Sequence, residues 1–248
     1  MADLDTNATA VRRRAYVLLM PAAVFLALSG CSPVSPGPAL PSETRSSVAI
    51  LAINSAPVSV ADGAAADVSI RDERVMVAVV GIRGADASGV PGPAGPGSQI
   101  VLDIREGSGP TASATLTSGD TVAVAGAAVR ATAQPKATAY DPATVRFEVV
   151  SGAAEVTPQV PVAARTPGAT LTLGPTMQGP LDLGGSTPAV VSIVNAGRQA
   201  LVVGFSIGTG PAAEQGVHHL VSGDVTTIGG HPVRVESDGA KVTLTAYA

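Results

Sequence analysis

Residues 118–130 read SGDTVAVAGAAVR, and residues 222–234 read SGDVTTIGGHPVR. The two stretches share Ser-Gly-Asp, a glycine six residues after the Asp (Gly126, Gly230) and a closing Val-Arg, all at one offset of 104 residues. Ser-Gly-Asp suits a turn entering a strand, because an Asp side chain hydrogen-bonds its own backbone and Gly accepts positive φ. The later glycine suits the bend of a hairpin that returns into Val-Arg. Neighbouring residues on a strand face opposite ways, so Val129 and Val233 should turn inward and Arg130 and Arg234 outward. Equal order and spacing predict two copies of one β-unit.

The repeat extends outward from this anchor. Upstream, Gly107-Ser108-Gly109-Pro110 recurs as Gly208-Thr209-Gly210-Pro211 at an offset of 101, and each copy ends in an alternating strand, residues 145–149 and 242–246. Further back, residues 191–194 and 201–203 flank a short Asn195-Ala196-Gly197 turn, a hairpin signal. Their counterparts, residues 77–80 and 100–102, are separated by the Pro/Gly stretch 84–97, so the offset rises to 114 and a long hairpin loop is inserted in the first copy. Its Gly-x-y period is too brief for a collagen helix. A second register, pairing Val68-Ser69-Ile70 with Val191-Ser192-Ile193, also fits the sequence.

The rest of the chain has the same texture. Short Val/Ile-rich runs alternate and are punctuated by Gly, Pro, Asn and Asp, and no run of ten or more residues has helical spacing. The expectation is an all-β fold closed as a sandwich or barrel. Its core must be built with few rings, since beyond residue 30 the chain has no Trp and only Tyr140, Phe147, Phe205 and Tyr247.

The N-terminal part carries a different signal. Arg12-Arg13-Arg14 precedes an apolar stretch, residues 15–28, too short to span a bilayer, and then Leu28-Ser29-Gly30-Cys31 with the single cysteine of the chain. This segment resembles the signal peptide and lipobox of bacterial lipoproteins. The resemblance implies removal of residues 1–30 and acylation of Cys31, and two or more acyl chains anchor a protein stably where one would not. Residues 31–46, beginning CSPVSPGPALPSETR, are rich in Pro and Ser with no apolar period, as expected of a disordered tether. The chain carries 15 basic and 19 acidic side chains, and loss of Arg12–Arg14 with Asp3 and Asp5 leaves a net charge of −5. That balance argues against a nucleic-acid partner. With one cysteine no internal disulfide can form, so the mature part must rely on its apolar core.

Residues 181–210, LDLGGSTPAVVSIVNAGRQALVVGFSIGTG, resemble the immunoglobulin-like domains of the ASPM–SPD-2–Hydin type through Asn195, Gly197, Leu201 and Val203. The resemblance implies a seven-stranded sandwich that serves as scaffold or binding module, without catalytic residues. Together with the repeat it predicts two tandem immunoglobulin-like β-sandwich domains, residues 47–157 and 168–248, joined by a linker at 158–167.

Residues suited to chemistry are few. His218, His219 and His231 form the only histidine cluster, and a metal site there would need the three imidazoles, or two with a carboxylate such as Asp224, to converge. Adjacent residues on a strand point apart, which disfavours His218 and His219 as joint ligands. Asp120 and Asp224 lie in turns of different copies, a placement that suits backbone capping better than acid/base work. The sequence holds no phosphate-binding loop. The expected function is that of a non-catalytic, cofactor-free binding or scaffolding lipoprotein on the extracytoplasmic face of the cell membrane. Its partner would be an envelope protein or a glycan; the alternative is a metal-binding envelope lipoprotein using the three histidines.

Overall fold

The two Ser-Gly-Asp segments form the same turn, bond for bond, in the computed structural model, which describes residues 51–52, 56–85, 91–210 and 213–247. Asp120 Oδ2 accepts the Thr117 N–H at 2.8 Å, and Asp224 Oδ2 accepts the Val221 N–H at 2.9 Å. Gly119 N donates to Ala131 O and Gly223 N to Val235 O. Ser118 Oγ accepts from Ala133 N, as Ser222 Oγ does from Ser237 N. Gly119 and Gly223 have φ of 107° and 99°, which a side chain would strain. The signal peptide, the lipidated Cys31 and the tether predicted for residues 1–46 lie outside the described residues.

From these turns the chain builds an all-β, sandwich-type fold with four sheets and, among the described residues, no helix. In the first half, β2 (Val58–Ala61), β10 (Thr144–Val150), β9 (Ala127–Gln134) and β8 (Thr121–Val124) form one antiparallel sheet in that order. The facing sheet orders β3 (Ala65–Ile70), β4 (Glu73–Ala85), β6 (Gln99–Glu106) and β7 (Ala112–Thr117); β1 (Leu51–Ala52) adds parallel to β3, and β5 (Pro91–Gly92) pairs with the end of β4. The second half repeats the plan. β11 (Pro167–Leu173), β18 (Val242–Tyr247), β17 (His231–Ser237) and β16 (Val225–Ile228) face β12 (Gln178–Leu181), β13 (Ala189–Ala196), β14 (Leu201–Ile207) and β15 (Glu214–Leu220). This half has eight strands where the resemblance implies seven, because the chain turns at Gly174–Met177 and adds β12 to the edge of the other sheet.

Each pair of sheets encloses its own aliphatic core. Phe147 anchors the first among Val, Ile, Leu and Ala side chains, and Phe205 borders the second. Alternation works as the sequence suggests: Val129 and Val233 are buried while Arg130 and Arg234 are exposed. Each such Val or Leu contributes about 1.5–3 kcal/mol by leaving water.

The register between copies is the one with the offset of 114. Val79 pairs with Leu102 and Ile193 with Val203, and both strands bulge at the next residue, Val80 or Val194. The Pro/Gly stretch connects β4 to β6 as a long hairpin. Part of it continues the ladder, Gly84 opposite Gly92 and Ala85 opposite Pro91, and a tight turn follows in which Gly95 N donates to the buried Ser98 Oγ. Residues 155–159 bridge β7 and β8, with Gln159 pairing Ser113 and Val156 pairing Val122, before β11 starts at Pro167. All of these elements belong to one compact unit, Ser47–Ala248.

Equivalent turns should contribute equally. Ser118→Ala and Ser222→Ala should each cost about 1 kcal/mol by leaving a backbone N–H without its acceptor. Their sum should be reached in the double variant, because separate sites add; urea unfolding midpoints of the three variants check this.

Candidate functional site

The residues with the most chemistry gather where the two halves meet, and the bulge on β4 is the reason they can. A bulge inserts one residue and re-aims the side chain at that point. Val80, the inserted residue, leaves the first core and packs into the second, while its counterpart Val194 is 61% exposed. β15 packs across β4 at this point. The approach is close enough that a Cβ on Gly216 would lie 2.8 Å from the Phe205 ring and 2.9 Å from both Val80 Cγ1 and its carbonyl oxygen. Glycine is there because nothing larger fits.

β6 supplies the polar side of the junction. Its inward residues Ile100, Leu102 and Ile104 fill the first core, so Val101, Asp103 and Arg105 share the outer face. Val101 packs against the second core. Asp103 is completely buried; it accepts a hydrogen bond from Ser113 Oγ at 3.0 Å and shares one with His218 Nδ1 at 2.9 Å. His218 stands at the open edge between β15 and β16, stacked on Phe205 with ring centroids 5.4 Å apart. Thr226 Oγ1 is 3.0 Å from Nδ1, and Nε2 is 3.2 Å from the Thr227 carbonyl.

A carbonyl oxygen only accepts, so Nε2 donates to Thr227, and Nδ1 is left to the Asp103 and Thr226 oxygens.

A second latch lies beside the first. Asp224 Oδ2 accepts from Thr111 Oγ1 at 2.7 Å as well as from Val221 N, so the turn residue of the second copy also grips the first. At the rim, Arg83 and Glu214 form an ion pair at 2.6 Å, and His219 Nε2 donates to the Gly63 carbonyl at 3.1 Å.

Next to the junction, between β3, β4 and β6 on one side and β14 and β15 on the other, opens a cleft of about 790 Å³. Its walls include Met76, Ala200 and Val202, and its polar groups include Asp67, Arg74, Arg105 and His219. Asp67 and Arg74 neutralise each other at 2.5 Å. Arg105 is not neutralised: its Nη1 is buried without a hydrogen-bond partner among the described residues.

The three histidines named from the sequence do not come together. His218 and His219 face opposite sides of β15, one in the Asp103 network and one lining the cleft, and His231 opens β17 opposite Ile228. Among the described residues no group of three His, Cys, Asp or Glu side chains is placed to hold a metal ion. Asp120 and Asp224 both bond their own turns, and only Asp224 does anything further. Asp103 and Arg105 escaped the sequence reading because QIVLDIRE looks like a strand with one wet face. The signal that could have found them is the unbroken apolar run Val75-Met76-Val77-Ala78-Val79-Val80, which marks β4 as covered on both faces.

Comparison with protein-family models, with curated proteins and with solved structures finds no match.

Breaking the buried pair should be costly from either side. Asp103→Ala and His218→Ala should each destabilise by about 3 kcal/mol. The double variant should lose at least about 1 kcal/mol less than the sum, the mark of a direct interaction in a urea double-mutant cycle. Gly216→Ala should cost about 2 kcal/mol by wedging β15 off Val80, read as a lowered melting temperature.

Proposed function

We propose that this chain is a non-catalytic binding or scaffolding module, tethered to the extracytoplasmic face of a bacterial cell membrane through lipid on Cys31. The observation that carries the binding part is the junction itself. Buried polar groups from both halves hold two stacks of sheets in one arrangement, and a cleft of ligand size stays formed beside them. Such a junction suits recognition, which loses affinity when the receptor must first be ordered.

The anchoring part rests on the order of residues at the N-terminus: Arg12–Arg14, the apolar stretch, then Leu28-Ser29-Gly30-Cys31. The Pro/Ser-rich residues that follow would stand the β-structure off the membrane. In this reading the two copies of the β-unit are tandem immunoglobulin-like sandwiches, and the partner is a component of the envelope rather than a nucleic acid. A metal-binding role has no comparable support, since the histidines it would use are held apart.

The anchor is tested by replacing its acceptor. Cys31→Ala removes the thiol that would be acylated, so the full-length variant should keep its signal peptide or leave the detergent phase in Triton X-114 partitioning. Wild-type processing with unchanged partition into detergent would refute the lipoprotein assignment.

A further inference from the structure

The cleft beside the junction contains a group whose needs the protein itself does not meet. Arg105 lies opposite Met76 in the β4–β6 ladder, on the outer face that the second half partly roofs over. Its Nη1 is buried and makes no hydrogen bond among the described residues. A guanidinium donor shut away from water without an acceptor is destabilising, by more than a neutral donor would be. The neighbouring carboxylates are already engaged. Asp67 is taken by Arg74, Asp103 by His218 and Ser113, and Glu106 Oε1 by the Ala125 N–H. The cleft therefore holds one cation too many and one acceptor too few.

We infer that the cleft is a binding site for a small carboxylate-bearing molecule whose carboxylate caps Arg105 and whose apolar body lies against Met76, Ala200 and Val202. Three features select this chemistry. One uncompensated positive charge matches a monoanion. A planar guanidinium meets a carboxylate through paired N–H donors. The cleft offers apolar as well as polar walls and a volume of about 790 Å³, within the usual range for small-molecule sites. His219 lines the same cleft, its ring oriented by the bond to the Gly63 carbonyl. The inference rests on the binding-module reading above, and it is independent of the lipid anchor.

The experiment measures melting temperature of the full chain with acetate, hexanoate and benzoate as probes, each titrated to tens of millimolar at constant ionic strength. Hexanol serves as the uncharged control and hexyl phosphate as the dianionic one. At least one carboxylate should stabilise the wild type saturably, by about 3 °C at ten times its dissociation constant, while hexanol should not. Arg105→Met keeps the stem and removes the unpaired donor. It should melt at or above the wild-type temperature without ligand, because a buried unsatisfied charge is gone, and it should lose the carboxylate response.

That combination separates a site from a structural arginine, whose loss would lower stability instead. Four results would overturn the inference: no response to any of the three carboxylates, an equal response in Arg105→Met, a lower melting temperature of that variant without ligand, or stabilisation by hexyl phosphate alone. Partition of Cys31→Ala is unaffected by any of them, so failure here and failure of the anchor are read separately.

Discussion

Asp103 sits where two β-structures need each other. Its carboxyl group belongs to a strand of the first half, yet it closes the open edge between β15 and β16 of the second, where His218 meets it through Nδ1 and the Thr227 carbonyl through Nε2. Neither group has a good alternative. Exposing the junction would return them to water, but at the loss of the apolar contacts around Val80, Val101 and Phe205. Burying one without the other would leave a charge or a donor stranded in a low-dielectric edge. A pair of this kind adds little net stability over an apolar substitute, and its larger effect is on geometry: only one docking of the halves satisfies both partners.

The same problem has a different solution in the other copy. An edge strand with unpaired backbone groups invites unwanted pairing, and proteins cover such edges. In the first half the chain does this with its own residues 155–159, which bridge β7 and β8 and are held further by Glu155 against Thr121. In the second half the covering is done by the outer face of β4 and β6. Two copies of one plan thus end up in different roles, one providing a surface and the other docking an edge upon it. The bulge illustrates the divergence. It occurs at the same step of both ladders, but it delivers Val80 into a neighbouring core and leaves Val194 in solvent.

The cleft follows from this arrangement. The second half covers the outer sheet face of the first only in part: Val101 and Asp103 are under the roof, and Arg105, two residues further along the same face, is at its margin. A side chain at a margin is shielded from water without being packed, and that is where an unsatisfied donor persists. The stability lost there is consistent with a role in holding something, since functional groups are commonly retained at some expense to the fold.

Much of this was legible in the residues themselves. Period-2 alternation marked the strands and their inward faces, and two Ser-Gly-Asp turns at one offset marked the repeat, because backbone turns and pleats depend on neighbours along the chain. What no local pattern could carry was the partner of each outward-facing residue. Asp103, Arg105, Thr111 and His218 look like ordinary polar positions of half-wet strands, and His218 and His219 look like a pair. Their real partners lie more than a hundred residues away, as Asp103 does for His218 and Thr111 for Asp224. Only the docking of one sheet on another decides which polar residues meet water, which meet each other, and which are left without a partner.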